Sequence, residues 1–315
     1  MNVAVYLNSN NVKYAIVMLT SFCENNPERN AIFVFYSELR QEEFELIEKA
    51  LNKYDLKMFY LNVAQDLDGV LIPSVEKPSF ETYYRLLLLD KLPAEVDRVF
   101  CLDIDIIVHG TLKELYYSDF EGADLMACED RKKSSNIHIE KGIEMQMPLN
   151  SLECKCFDVG VMLLNVEQMR NKYSLDKYLE VVEKWNSQIP AIDQHILNYV
   201  HYGKVKLISW EEYDLFAREA YNSGWKYDDV KEKNKIIHFT GEKPWRFDNV
   251  HFEIESFWWE YASLTLIYKE LLEDFLEYAL TSSFIENEVK KLRKNNDEFT
   301  ESINEALRVL EKFKT

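Results

Sequence analysis

The sequence predicts an α/β fold: a Rossmann-like mixed sheet flanked by helices, with a helical C-terminal extension. Three observations carry that prediction. Short apolar runs alternate with amphipathic stretches of helical spacing from the N-terminus through Leu61. Later apolar runs, at 98–108 and 157–165, are rich in β-branched and aromatic residues, as buried strands are. From Glu253 onward the spacing turns helical and stays so.

Residues 3–7 read as a first, buried parallel strand. The polar turn Asn8-Ser9-Asn10-Asn11 follows, rich in helix-capping residues. Tyr14, Val17, Met18, Ser21 and Phe22 then recur at helical spacing until Asn25-Asn26-Pro27 ends the helix. A strand at 31–36 leads into an amphipathic helix at 41–54, with Phe44, Ile47 and Leu51 on one face, and a third strand at 57–61. This alternation implies right-handed crossovers and parallel pairing, with ligands at the carboxyl ends of the strands. Residues 66–80 are irregular, and a helix starts at Glu81-Thr82-Tyr83-Tyr84-Arg85. After the apolar run at 98–108 come a short helix at 111–115 and a strand at 124–127. Residues 130–152 are polar and aperiodic, the mark of a functional loop or lid. The strand at 157–165 precedes helices at 175–185 and 192–200, then short strands at 204–207 and 235–237. Leu264, Ile267, Leu271, Phe275 and Tyr278 repeat at three- and four-residue steps. Thr281-Ser282-Ser283 interrupts before a last helix carrying Phe299, Ile303, Leu307, Leu310 and Phe313.

Composition excludes several functions. The chain has 315 residues and 47% hydrophobic content, enough for a large core. A net charge of -18 repels nucleic-acid phosphates and anionic lipid. The five cysteines are odd in number and two sit in strand-like runs, which argues against a disulfide framework. Cys154-Lys155-Cys156 is too tightly spaced for a zinc knuckle. The N-terminal stretch lacks signal-peptide features, and no apolar run reaches transmembrane length, so the expectation is a cytoplasmic protein. From Ser283 on, basic and acidic residues are equal in number. That balance suits packing on the protein or on a second copy better than membrane binding.

Two stretches carry chemistry. Asp103 and Asp105 interrupt an apolar run, where ionised carboxylates need a partner or a metal. They fit either a divalent-cation site for a phosphorylated ligand or a turn between two short strands. In Ile236-Ile237-His238-Phe239-Thr240-Gly241-Glu242-Lys243-Pro244-Trp245, a histidine ends a strand and a lysine follows in a glycine-containing loop. A loop lysine beside glycine backbone suits a diphosphate. Two carboxylates and an imidazole together suit manganese. No Gly-x-Gly-x-x-Gly and no P-loop is present, which argues against a nicotinamide fold and a P-loop nucleotide site.

These stretches resemble glycosyltransferase family 8, the glycogenin and lipooligosaccharide galactosyltransferase group. The likeness rests on the Asp-x-Asp of residues 98–108, on Tyr83-Tyr84-Arg85 and on Leu112-Lys113-Glu114-Leu115. It continues in order through residues 157–165, Ile192-Asp193-Gln194-His195-Ile196-Leu197-Asn198 and residues 238–245, covering roughly the first 260 residues. The resemblance implies a glycosyltransferase A-type fold and a retaining transfer of hexose from UDP-glucose or UDP-galactose to a saccharide acceptor. It implies Asp103, Asp105 and His238 as ligands for Mn2+ or Mg2+. It implies Asn8 and Asn10 facing the uridine, with Ile104, Gly241 and Lys243 at the nucleotide and its diphosphate. Arg85, Asp158, Asp193 and Gln194 would surround the donor sugar as catalytic residues. The family often carries aspartate where Asn8 stands and asparagine where Asp158 stands. The division that follows is a nucleotide-sugar-binding catalytic domain at 1–260 and a helical extension at 261–315 that the resemblance does not cover; homodimerisation through the extension's helices and peripheral membrane contact of the protein are the partner expectations. A non-catalytic nucleotide-sugar-binding protein and a metal-dependent nucleotidyltransferase are the alternatives.

Overall fold

The computed structural model describes residues 1–67, 81–131, 156–185, 192–247 and 251–281, with positions 290, 293, 294 and 296. Most of the expected lid at 130–152, the irregular stretch from 68 to 80 and the last helix around Phe299–Phe313 lie outside the described residues.

The N-terminal half follows the apolar pattern closely. Strand β1 (Asn2–Leu7), helix α1 (Val12–Asn25), β2 (Asn30–Tyr36), helix α2 (Gln41–Leu51) and β3 (Leu56–Asn62) alternate as expected. The turn before α1 departs from helix capping. The Asn11 side chain accepts from the Asn8 backbone N–H at 2.9 Å, so it ties the turn rather than the helix. The helix expected from Glu81 breaks into Glu81–Tyr84, a 3-10 turn at Arg85–Leu87 and Leu88–Lys91. The tighter turn begins at Arg85 and buries Leu86 and Leu87.

The expected single strand at 98–108 is two strands. β4 (Arg98–Leu102) and β5 (Ile106–Val108) are separated by the turn Asp103-Ile104-Asp105. The two acids stop the strand because neither carboxylate can be buried between sheet and helices without a partner. Strands β6 (Leu125–Glu129), β7 (Phe157–Asn165), β8 (Val205–Ile208), β9 (Leu215–Phe216) and β10 (Ile236–His238) follow. Among the described residues the strands form two sheets, ordered β3-β2-β1-β4-β7-β6-β8 and β5-β10-β9. β1 pairs parallel with β2 and β4, and β7 runs antiparallel between β4 and β6, which makes the large sheet mixed. The chain therefore changes sheets at Asp103-Ile104-Asp105.

Apolar residues fill both faces of the large sheet. One cluster packs α1, Phe257 and Trp258 against Val3, Val5 and Phe100, and the other packs Tyr83, Tyr84 and Leu88 against Ala4, Phe33 and Val99. The helical C-terminal stretch also breaks, into Ser256–Ala262 and Tyr268–Thr281. The turn between them explains why Ile267 and Leu271 are buried while Leu264, expected on the same stripe, is half-exposed. Lys13 of α1 pairs with Glu270 and Asp274 of the second helix. No helix among the described residues is long and apolar enough to cross a membrane.

Candidate active site

The site forms where the carboxyl ends of β1 and β4 meet the start of β7, the end of β10 and the helix Ile192–Val200. Backbone bonds pin both shoulders of the aspartate turn. Asp103 N–H donates to the Gly160 carbonyl of β7, and Phe239 N–H donates to the Asp105 carbonyl, each at 2.9 Å. The antiparallel β5–β10 pairing puts His238 opposite Ile106, one residue beyond Asp105. His238 Nε2 consequently lies 3.4 Å from Asp105 Oδ1. Ligand atoms of Asp103, Asp105 and His238 all lie within 4.8 Å of one another.

Two cations balance these acids. Arg85 Nη2 donates to Asp103 Oδ1 at 2.8 Å, Arg85 Nη1 to the Val159 carbonyl at 2.6 Å, and its Nε pairs with Asp193 Oδ2 at 3.1 Å. Lys243 Nζ donates to Asp105 Oδ2 and, at 2.8 Å, to the Phe239 carbonyl. Burial works against ionisation of Asp105, but His238 and Lys243 outweigh it and hold its carboxyl below the usual range. Asp103 is pushed up by burial and by Asp105, against the pull of Arg85. Burial opposes the charged form of His238, yet Asp105 and Asp214 raise it well above an ordinary imidazole.

Behind the histidine stands a second acidic pair. Asp214 Oδ1 is 2.8 Å and Asp158 Oδ1 3.7 Å from His238 Nδ1. Burial and the neighbouring Asp214 push Asp158 up to about 8. Gly160 makes the convergence possible. A Cβ there would stand 2.5 Å from His238 Cε1, 2.9 Å from Asp158 Oδ1 and 3.0 Å from Asp103 Oδ2.

A cavity of about 330 Å3 opens on this cluster, lined by Tyr6, Asn11, Arg85, Leu102, Asp103, Ile104, Asp105, Asp193, Lys243 and Trp245. Trp245 stacks on Tyr14 of α1 with ring centroids 4.2 Å apart, which seats the lysine loop against the first helix. Gly241 has φ of +82°, a left-handed conformation that turns this loop and that a side chain would strain.

The structure thus brings Arg85, Asp103, Ile104, Asp105, Asp193 and Lys243 to one cavity, with His238 against its acids. Asp158 faces His238 from behind. Gln194 opens the helix Ile192–Val200 beside Asp193, and its Nε2 donates to Asp130 Oδ2 at 2.6 Å. Asn8 and Asn10 stand differently. The Asn8 Oδ1 accepts from the Asn10 N–H at 2.9 Å, Asn10 is exposed, and Asn11 is the turn residue that lines the cavity. Sequence reasoning missed Asp214 and Asp130. Asp214 follows Glu211-Glu212-Tyr213 and reads as a surface acid, because the two-residue strand after it is too short for periodicity. Asp130 sits at the edge of a stretch with no pattern at all.

Known proteins share this framework. The galactosyltransferase LgtC, solved in complex with donor and acceptor sugar analogs, superposes with a TM-score of 0.69 at 23% identity, over 87% of this chain and all of that one. The fold is therefore the glycosyltransferase A type, a mixed sheet with flanking helices. The lipopolysaccharide 1,2-glucosyltransferase of Escherichia coli is 25% identical over 256 residues, covering 78% of this chain and 73% of that protein. Glycosyltransferase GlyB of Streptococcus pneumoniae serotype 4 is 24% identical over 251 residues, 77% of this chain, which spans only 56% of GlyB's length. The family model described as glycosyl transferase family 8 matches residues 2–249, taking in the aspartate turn, the Asp193–Gln194 helix and the His238–Lys243 loop, and the chain belongs to that family.

Proposed function

We propose that the chain is a retaining hexosyltransferase that moves glucose or galactose from its UDP-sugar to a saccharide acceptor, with a divalent cation held by Asp103, Asp105 and His238. The convergence of Asp103, Asp105, Arg85 and Lys243 on one cavity, with His238 against the two acids, carries the reading. The donor set fits Mn2+ or Mg2+, since two carboxylate oxygens and one imidazole nitrogen suit borderline-hard cations. The cation, when bound, offsets diphosphate charge and polarises the leaving group.

The protein's own residues supply the rest. Lys243 adds positive charge where the diphosphate departs. Ile104 and Gly241 set backbone beside the nucleotide, with the Asn8–Asn10 turn at its base end. Arg85 holds Asp103 and Asp193 in fixed relation, so metal side and sugar side move as one unit. Asp193 and Gln194 stabilise the oxocarbenium-like carbon as the C1–O bond lengthens. Asp158 backs the sugar side of the site from behind His238, where burial and the neighbouring Asp214 raise its carboxyl above the usual range. Gln194 is a neutral amide and a poor nucleophile. The acceptor hydroxyl therefore attacks from the face the diphosphate leaves, and its proton passes to the departing phosphate oxygen. The bacterial lipopolysaccharide enzymes among the relatives favour an acceptor on a cell-surface glycan.

The test is UDP release from a panel of UDP-sugars, with and without Mn2+. Wild type turns over UDP-glucose or UDP-galactose only with metal. Asp105→Ala loses about 100-fold or more, since a metal's charge stabilisation is worth several kcal/mol. Turnover of a nucleoside triphosphate, and of no UDP-sugar, overturns the proposal.

A further inference from the structure

His238 has two ring nitrogens, and only one can face Asp103 and Asp105. What decides the matter lies on the opposite edge of the ring. Strand β9 pairs parallel with β10, Leu215 opposite Ile237 and Phe216 opposite His238. That register delivers Asp214, one residue before β9, to the back of the imidazole. Its backbone is fixed as well, because Asp214 N–H donates to the Trp210 carbonyl at 3.0 Å and closes the short helix Trp210–Tyr213. The Asp214 side chain is fully buried, and its Oδ1 meets His238 Nδ1 at 2.8 Å. Asp158 is the other acid on that edge. At 3.7 Å it is beyond hydrogen-bond length, and its Oδ1 already accepts from the Gly160 N–H at 2.8 Å. Phe216 meets the ring edge-on with centroids 5.5 Å apart, and Gly160 leaves room for Cε1.

We infer that Asp214 is the positioning residue of the cation site: it takes the Nδ1–H of His238 and thereby turns a bare Nε2 toward the cation shared with Asp103 and Asp105. The inference rests on the divalent-cation reading above. A carboxylate behind a ligating imidazole fixes the ring's tautomer and orientation and raises its basicity. Asp214 touches neither cation nor sugar and acts only through His238.

The test loads the full chain with Co2+ and records its proton NMR spectrum, alongside Co2+ and Mn2+ titrations. Wild type shows one hyperfine-shifted, exchangeable imidazole N–H, protected by the Asp214 bond. Asp214→Ala loses that protected signal to solvent exchange and binds either ion about 10–100-fold more weakly. Asp214→Asn keeps the signal, because the amide oxygen still accepts, and loses under about tenfold in affinity. Should Asp214→Ala fail to fold, Asp214→Asn decides alone: a retained signal with weakened binding supports the inference, and unchanged binding overturns it. An unchanged signal and affinity in Asp214→Ala also overturns it while leaving the cation site standing. Wild type that binds Co2+ with no protected imidazole N–H also overturns it, because the bond from His238 Nδ1–H to Asp214 is then not made. Wild type that binds neither ion sinks the cation reading and this inference together.

Discussion

At the scale of single residues, Gly160 is the position where the site tolerates least. Its missing Cβ is the space that His238, Asp158 and Asp103 share. Gly160→Ala forces at least one of them to move, and overpacking of this kind costs about 1–3 kcal/mol. Urea denaturation reads that loss. A Mn2+ titration of the same variant shows weaker binding, because the imidazole shifts off its ligand position. Much of this was legible from the sequence. A glycine beside an aspartate in an apolar strand signals close backbone approach, and Asp103, Asp105 and His238 are residue types from which a candidate cation site is built. Asp214 was not legible, because nothing local separates a buried acid after Glu211-Glu212 from the exposed acids beside it. Only the β9–β10 register tells them apart.

At the scale of elements, the outer edge of the large sheet depends on one buried carboxylate. Asp124, just before β6, accepts from Tyr173 Oη at 2.5 Å, Gln168 Nε2 at 2.9 Å and Lys172 Nζ at 3.2 Å, and it meets His201 Nδ1 at 3.2 Å. Its own backbone bonds to Lys204 and Asn165, joining β6, β7 and the approach to β8. Burial disfavours the charge, but the bonds from His201, Tyr173 and Gln168 outweigh it and hold the Asp124 carboxyl below the usual range. Burial lowers His201 below an ordinary imidazole, against the pull of Asp124. Both shifts have the same sign of consequence. The unfolded chain binds protons more readily than the fold does, so stability is present at neutral pH and lost toward acid. The His201 contribution fades as pH falls below about 6.5, and the Asp124 contribution below about 4. The urea midpoint of wild type, measured relative to that of His201→Gln, which does not titrate, should therefore fall between pH 7 and pH 5. Asp124→Ala should lose about 3 kcal/mol at pH 7, where several buried donors are left without their acceptor. The sequence shows the strand at 124–127 but not this knot, whose members come from three separate segments, at 124, 165–173 and 201–204.

At the scale of the whole molecule, the aspartate turn is the hinge pin between two sheets. β4 belongs to the large sheet, and β5 and β10 to the small one. A cation drawn between Asp103, Asp105 and His238 ties the two together. Mn2+ with UDP at about 100 times their dissociation constants should stabilise the fold by about 2.7 kcal/mol, a rise of about 4 °C in Tm for a chain of 315 residues. Differential scanning calorimetry should show that rise in wild type and not in Asp105→Ala. The alternation of strands and helices, and so the large sheet, was readable from apolar spacing alone. The small sheet was not: the strands at 235–237 and within 98–108 read as strands, but nothing local shows that they pair, and β9 has only two residues.

The pinning of the aspartate turn by later strands also sets an order of events during synthesis. Lys243 follows Asp105 by 138 positions, an interval that takes a ribosome on the order of ten seconds. For most of that interval the nascent chain carries two acids without their imidazole or their lysine, although Gly160, whose carbonyl accepts from Asp103 N–H, emerges before its end. Long-range closure of this kind is slow and comes late. On the proposed reading the centre is complete only once the chain has been made through Lys243, and a shorter nascent polypeptide lacks it.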